Sequence, residues 1–219
     1  MQILQFPSVS WLAGAALAVM LTGCSTLPSP PASAVRYDLG PAPAVSTSPA
    51  AVHPIALAPM QAPLLTDGST GLRYRLAYVN GQVLHTYAQA RWSAPPALIV
   101  GQRLREYLGQ GNRVVLSAVP GDVPPTVQGR HVPVLQLALE EFSQVFASAQ
   151  NSSGWVRVRA TLIDPSPQGN VLLAQQVFEV RQPATSANAA GGVQALSAGV
   201  DQVGLQLGAW LQTVLVAPR

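Results

Sequence analysis

Hydrophobic and polar residues alternate with a period of two over several stretches of the chain, which is typical of β-strands with one buried face. Residues 72–79 alternate in this way, and Asn80-Gly81 then has the composition of a two-residue hairpin turn. Residues 82–92 supply the second arm. We therefore expect a hairpin in which Arg73 and Arg75 lie on the face opposite to the large apolar side chains.

Further strand-like stretches are separated by segments rich in turn residues. They cover residues 35–39, 52–60, 113–119, 132–146, 155–163 and 171–181. The last three are long and consecutive, so they predict an antiparallel meander. Within the middle one, Val156 and Val158 share one face, and Arg157 and Arg159 point to the other face.

Two helices are predicted from apolar residues spaced three and four apart. The first follows Pro95-Pro96 and ends near Gly109. The second contains Val193, Leu196, Val200, Val203, Leu207, Trp210 and Val214 on one face. Packing on the protein's own sheet is favoured over a coiled coil, because several glycines weaken a free-standing helix. The expected fold is α/β (α+β), a single compact sandwich with a mostly antiparallel sheet and two helices packed on one face.

The N-terminal residues have the composition of an export signal followed by a tether. An apolar run, shorter than the about 20 residues that span a bilayer, ends in Leu21-Thr22-Gly23-Cys24. This ending resembles the lipobox of bacterial lipoproteins, in which the cysteine thiol receives diacylglycerol. We interpret residues 1–23 as a signal peptide, although they contain no Lys or Arg. Residues 24–50 are then the acylated Cys24 and a Pro/Ala/Ser-rich tether, and residues 51–219 are the globular domain.

Composition narrows the classes of function. The chain has 12 basic residues, all of them arginine, and 9 acidic residues, for a net charge of +3. Because a nucleic-acid-binding surface requires clustered positive charge, this dispersed set does not favour nucleic acid as a partner. The single cysteine excludes an intramolecular disulfide and a multi-cysteine metal site.

The sequence contains no recognisable catalytic constellation. His53, His85 and His131 lack the spacing of metal ligands. Glu140 and Glu141 are adjacent on a predicted strand, so they face opposite sides of the sheet unless a β-bulge intervenes. We therefore expect a protein that is not an enzyme, with no catalytic residue, no metal and no cofactor.

The arginines are the candidate contact residues. Arg73 and Arg75 share one strand face, and so do Arg157 and Arg159. Guanidinium groups bind carboxylates and lipid phosphates equally well, so two such rows can contact a protein partner or lipid headgroups. An ordinary solvated sheet face is the alternative interpretation, and it remains open.

The order of these features resembles one family. The order is the lipobox, Tyr37-Asp38-Leu39 in the Pro-rich arm, paired strands leading into Trp92-Ser93-Ala94-Pro95-Pro96, a helix with Leu104, further strands, and a last helix ending in Ala209-Trp210-Leu211. It resembles the ABC-type transport auxiliary lipoproteins, the PqiC-like family, over essentially the whole mature chain.

The resemblance implies an outer-membrane lipoprotein, anchored on the periplasmic face, that partners a periplasmic MCE-type protein and its inner-membrane ABC transporter in lipid transport. Ser25 after the cysteine agrees with the outer membrane under the family's sorting rule. The only attached group would be the diacylglycerol and the N-acyl chain on Cys24, of which palmitate is typical. Phospholipid binding and a homo-oligomer stay open. The alternative is a structural envelope lipoprotein that helps assemble an outer-membrane or secretion complex without handling lipid.

Overall fold

A computed structural model describes residues 33–43, 53–64, 68–166 and 169–216, and residues 34–219 form one compact unit. Cys24 and the predicted signal peptide lie outside the described residues. The strands are β1 Val35–Tyr37, β2 Ile55–Leu57, β3 Gly71–Leu76, β4 Gly81–Trp92, β5 Val115–Ser117, β6 Thr126–Val127, β7 Arg130–His131, β8 Val134–Phe146, β9 Ser152–Asp164 and β10 Val171–Pro183. The α-helices are α1 Ala77–Asn80, α2 Pro96–Gly109 and α3 Ala189–Val216, and a 3₁₀ turn follows α2 at Gln110–Asn112.

Eight strands form one mixed sheet around β8, which is paired along both of its edges. Strand β9 pairs antiparallel with β8 along its length, and β10 pairs antiparallel with β9. The other edge of β8 is shared, because β2 pairs with its first residues and β3 with its last. Strand β5 extends the sheet beyond β2, and β4 and then β1 extend it beyond β3. Strands β6 and β7 form a separate two-stranded ribbon.

The prediction of a mostly antiparallel sheet with two helices is wrong. Four of the seven strand pairs in the large sheet are parallel: β1 with β4, β2 with β5, β2 with β8, and β3 with β8. Each of these pairs joins strands that are distant along the chain, so the local alternation of residues does not report their direction. Helix α1 is a third α-helix among the described residues. The predicted meander of β8, β9 and β10 is confirmed.

The hairpin of β3 and β4 is confirmed, but its turn differs from the prediction. Strand β3 ends at Leu76, and the single helical turn α1 connects it to β4. Gly81 has a φ of −69°, so it does not adopt the left-handed conformation that a two-residue Asn-Gly turn requires. The hairpin therefore ends in a wider tip, residues 77–84.

One face of the sheet packs against α2 and α3. On β9 the side chains of Val156, Val158 and Leu162 are fully buried against this helical layer. Helix α3 contributes most of the predicted apolar stripe to the core: Val193, Leu196, Val200, Val203 and Leu207 are buried. The prediction that this helix packs on its own sheet is therefore confirmed, and the hydrophobic effect accounts for its position.

Glycines allow α3 to approach the sheet and α2 closely. A Cβ atom on Gly154 of β9 would lie 2.6 Å from the backbone nitrogen of Leu196 in α3. A Cβ atom on Gly204 of α3 would lie 2.6 Å from Cγ of Tyr107 in α2. Gly208 is different, because a Cβ atom there would meet no neighbouring atom within 4 Å. In the sequence Gly204 and Gly208 count only as residues that weaken a helix, and the close approaches at Gly154 and Gly204 are not visible there.

A buried ion pair fastens the segment after β1 to the two long helices. The guanidinium of Arg103 in α2 is 3% exposed and lies 3.3 Å from Oδ1 of Asp201 in α3. Its Nη2 also donates to the carbonyl of Leu39, at 2.6 Å, and to the carbonyl of Gly40. Burial raises the pKa of Asp201, while Arg103 and a hydrogen bond from Tyr107 act in the opposite direction. The strand predicted at residues 35–39 is thus present as β1, at the edge of the sheet.

Candidate functional site

The sheet face that points away from α2 and α3 carries a network of charged side chains. We call it the open face, and we define it by Arg73, Arg75, Glu140, Glu141, Trp155, Arg157, Arg159, Glu179 and Arg181. On β9 these positions alternate with the buried valines, which places them on the side of the sheet opposite to α3. All four arginines that the sequence pattern singled out therefore belong to one surface.

A β-bulge in β8 directs two adjacent carboxylates to this surface. The pairing register of β8 with β9 shifts between Leu139 and Glu141, so Glu140 is the extra residue. Glu140 then contacts arginines of β9, and Glu141 contacts Arg75 of β3. The sequence allowed this arrangement only if a bulge intervened, and the structure contains one.

Glu140 is the centre of the network. Its Oε1 accepts a hydrogen bond from Nε of Arg159 at 2.7 Å, and its Oε2 accepts one from Nε of Arg157 at 2.9 Å. Burial by itself would raise the pKa of Glu140, but the hydrogen bonds and positive charges of Arg159 and Arg157 outweigh it and lower the pKa. Glu140 is therefore ionised at neutral pH, and it holds both guanidinium groups in place.

Strand β10 extends the network through Glu179. Its Oε2 lies 3.2 Å from Nη1 of Arg157, and its Oε1 accepts a 3.1 Å hydrogen bond from the indole of Trp155. The guanidinium of Arg181 lies 4.0 Å above the Trp155 ring, in a cation–π contact, and 3.6 Å from the Glu179 carboxylate. An aromatic side chain is therefore part of the charged surface.

Strand β3 contributes the other side of the open face. Nη2 of Arg75 lies 3.1 Å from Oε2 of Glu141, and Nη1 donates to the carbonyl of Gly81 at 3.3 Å. Arg73 lies two residues earlier on the same strand face and pairs with Thr86 of β4 in the ladder. The structure thus brings Arg157 and Arg159 together at Glu140, and it holds Arg75 at Glu141.

The sequence pattern did not select the acidic and aromatic members of the open face as contact residues. Glu179 and Arg181 alternate on β10 in the same way as the arginines on β9, and Glu140 lies opposite to Leu135, Leu137 and Leu139 by the same alternation, so these residues were accessible from the pattern. Glu141 was not accessible, because a bulge is not visible in local alternation. Guanidinium groups that are 38–50% exposed, as in Arg157, Arg159 and Arg181, can exchange carboxylate partners with a binding protein or with phosphate groups.

The described residues were compared with the requirements of a metal site and of a membrane-spanning helix. In the part of the chain that the structure describes, His, Cys, Asp and Glu residues form no group of three or more that could hold a metal ion. None of the helices in the same described ranges combines the length and the apolar character that crossing a bilayer requires. The predicted lipidation site Cys24 falls outside those ranges.

The comparison with protein families identifies the chain. Residues 37–208 match the model of the ABC-type transport auxiliary lipoprotein component. The match covers most of the chain, so the protein belongs to the family of ABC-type transport auxiliary lipoproteins, as the order of sequence features predicted. Members of this family are auxiliary lipoprotein components of ABC-type transport systems. No curated protein matches the chain.

Solved structures share the fold at low sequence identity. A DUF330-family protein from Xanthomonas campestris, XCC0632, is 19% identical, with a TM-score of 0.62, over 82% of this chain and 96% of that chain. An uncharacterised protein is 12% identical, with a TM-score of 0.54, over 82% of this chain and 99% of that chain. The hypothetical protein CT253 from Chlamydia trachomatis is 11% identical, with a TM-score of 0.49, over 77% of this chain and 100% of that chain. The first two show that the fold is shared.

Proposed function

We propose that the protein is an outer-membrane lipoprotein, acylated on Cys24, that docks a periplasmic MCE-type protein of an ABC-driven lipid transport system. The observation that carries the proposal is the family match over residues 37–208, because the family is an auxiliary lipoprotein component of ABC-type transport. The role is binding and positioning rather than catalysis. The covalent diacylglycerol and N-acyl chain would be the only attached groups.

The sequence around Cys24 supports the anchor. Its three acyl chains would exceed the two membrane-binding signals that stable anchoring requires. Ten residues lie between Cys24 and the first residue of β1 in the sequence. The periplasmic face of the outer membrane is the location that fits a component joining a trans-envelope system.

The open face supports the docking role. Protein-binding surfaces are enriched in arginine and tryptophan, and the open face contains both in one network. Its ion pairs are partly exposed, so a partner that presents carboxylates can compete for the arginines, and one that presents basic groups can compete for Glu140 and Glu179. The fixed positions of these charges would select the register of the partner.

Crosslinking tests the proposal. In cells that express the lipoprotein and a candidate MCE-type protein, a crosslinkable residue at Thr161, on the same face of β9 as Arg159, should yield a joint product. A crosslinkable residue at Leu98, exposed on α2, is the matched control and should yield none. Absence of a joint product at Thr161 would overturn docking through this face. Recovery of an outer-membrane or secretion complex in its place, with no phospholipid in extracts of the purified protein, would favour the structural envelope role.

A further inference from the structure

Three chain connections at one end of the large sheet carry no charged side chain. They are the hairpin tip 77–84, the β8–β9 connection 147–151 and the segment 184–188 before α3. Leu76 of β3 pairs with Phe146 of β8, and the backbone nitrogen of Ala184 donates to the carbonyl of Ser152, so the three connections are neighbours. None of them contains Asp, Glu, Lys or Arg. We call this the uncharged end.

The hairpin tip exposes large apolar side chains at the uncharged end. Val79 is 71% exposed, and Tyr78, Val83 and Leu84 are exposed as well. The remaining side chains of the tip are small or are neutral amides. An apolar group of this size at the tip of a hairpin leaves several side chains in contact with water, which is unfavourable unless something covers them.

The opposite end of β8 has a different character. The loop between β5 and β6 contains Asp122 next to the exposed Val123, β7 begins with Arg130, and β9 ends in Asp164. Exposed apolar residues therefore occur at both ends of the sheet, but only at the uncharged end are they free of charged neighbours on the same connections. The opposite end can therefore serve as a control for the exposed apolar residues of the uncharged end.

The direction of β1 shows from which side the described chain enters the sheet. Strand β1 runs parallel to β4, with Val35 opposite Ala90, so the chain enters β1 from the direction of the tip. Nine residues of β4 separate Ala90 from Gly81, a distance of about 30 Å. Cys24 precedes Val35 by eleven residues, which span at most about 40 Å. The maximal length of this segment therefore exceeds the length of β4 between Ala90 and Gly81.

We propose that the hairpin tip contacts the lipid surface that holds the acylated Cys24, with Tyr78, Val79, Val83 and Leu84 among the headgroups. This inference rests on the proposed function, because it requires acylation of Cys24. Aromatic and aliphatic side chains without charge suit the membrane interface. Arg75 lies just behind the tip, bonded to the carbonyl of Gly81, where a guanidinium would meet headgroup phosphates.

The lipid surface fits the tip better than a second copy or a protein partner does. Charged residues are depleted at the core of protein interfaces too, so the length of the segment between Cys24 and Val35 is what favours the lipid surface. The arm also limits how far the unit can move from the membrane, which brings the tip to the lipid at high effective concentration.

Site-specific fluorescence tests the inference. The chain has one cysteine, so after acylation of Cys24 the variant Val79→Cys provides a single thiol for an environment-sensitive dye. Val123→Cys is the matched control, because Val123 is 85% exposed at the opposite end. The full acylated protein is placed in vesicles of phosphatidylethanolamine and phosphatidylglycerol, with and without doxyl-labelled lipid. We expect doxyl lipid to quench the dye at position 79 and to leave the dye at position 123 unchanged.

Each other outcome overturns the inference and is distinguishable. If the protein floats with the vesicles but doxyl lipid quenches neither dye, the anchor is intact and the tip does not contact lipid. A dye at position 79 that is already shielded in detergent, without vesicles, would indicate that a second copy covers the tip. Failure of the protein to float with vesicles would overturn the anchor itself, and the proposed tip contact with it.

Discussion

Arg159 and Glu140 form a 2.7 Å ion pair at the bulge of β8, where Glu140 is the extra residue. Without the bulge, the alternation of Leu135, Leu137 and Leu139 would continue, and Glu141 would point into the helix-covered core, where an ionised carboxylate is strongly disfavoured. With the bulge, one carboxylate binds the guanidinium groups of Arg159 and Arg157 through separate oxygens. A local irregularity of the backbone thus organises the charged open face.

The lowered pKa of Glu140 predicts a pH-dependent contribution to stability. A carboxyl group whose pKa is lower in the folded state stabilises that state above its unfolded pKa, about 4.3, and the contribution is lost as the pH falls through the lower folded value. We expect Glu140→Gln to reduce the free energy of unfolding by about 1 kcal/mol at pH 7, a modest value because both arginines are partly exposed.

Urea unfolding between pH 7 and pH 3 measures this effect. The difference between the native chain and Glu140→Gln should be constant down to about pH 5 and should shrink below about pH 4. Glu106→Gln is the control, because Glu106 lies at an exposed position of α2 and accepts a hydrogen bond from the neutral side chain of Gln102. A difference that keeps its full size at pH 3 would contradict the assignment of the effect to ionised Glu140.

Two of the glycines in α3, Gly204 and Gly208, predict opposite effects of substitution by alanine. Gly204→Ala places a methyl group against the Tyr107 ring and should destabilise the fold by about 1–3 kcal/mol. Gly208→Ala meets no atom within 4 Å and should stabilise the helix by about 0.5–1 kcal/mol. Thermal unfolding checks both variants, with a shift of about 2–4 °C expected for each kcal/mol. Shifts in the same direction would show that α3 does not approach α2 as described.

The buried guanidinium of Arg103 predicts a large loss of stability on substitution. Arg103→Met leaves Asp201 without its ion-pair partner and the carbonyls of Leu39 and Gly40 without the guanidinium donor, and we expect a loss of about 3–5 kcal/mol. Arg105→Met, on the same helix, removes only long hydrogen bonds of 3.3–3.5 Å and should cost about 1 kcal/mol or less. Urea unfolding compares the two variants, and equal losses would refute the special role of Arg103.

Strand positions and helix faces were predictable because they depend on local periodicity. The alternation around Val156 and the stripe from Val193 to Val214 each report one buried face, and the structure confirms both. Strand direction was not predictable, because β2 and β3 pair with β8 only after the chain has returned from a distant segment.

The candidate site was also predictable only where it depends on local periodicity. The four arginines were selected from their shared strand faces, and the structure places them on one surface. Glu141 could not be assigned, since a β-bulge changes the face of a residue without changing its neighbours in sequence. The packing role of Gly154 and Gly204 was also invisible, because it depends on which backbone or ring lies opposite.

The interpretation of Cys24 as the lipidation site predicts the location of the protein in cells. Cys24→Ser removes the thiol that would carry diacylglycerol, and we expect the protein to leave the membrane pellet. Ser25→Ala is the matched control, because it changes the next residue and keeps the thiol. Fractionation of cells followed by immunoblotting measures both variants. A Cys24→Ser protein that stays in the pellet would refute the anchor.

The open face predicts separate effects on docking and on folding. We expect Arg73→Glu combined with Arg157→Glu to reduce the crosslinking yield with the MCE-type protein by at least about tenfold. This is the loss expected for about 1.4 kcal/mol of binding free energy. The stability change should be smaller, about 1 kcal/mol, because Arg157 and its partners Glu140 and Glu179 are partly exposed.

Two further variants separate position from net charge. Arg130→Glu changes the net charge as much as either single reversal, but it lies in the β6–β7 ribbon, and it should leave docking unchanged. Exchanging the partners of the other ion pair, with Arg75→Glu and Glu141→Arg, keeps an ion pair in the fold and reverses its polarity on the open face. Loss of docking with an unchanged melting temperature in this exchange would support recognition of the charge pattern. Unimpaired docking in both the double reversal and the exchange would show that the open face is an ordinary solvated surface.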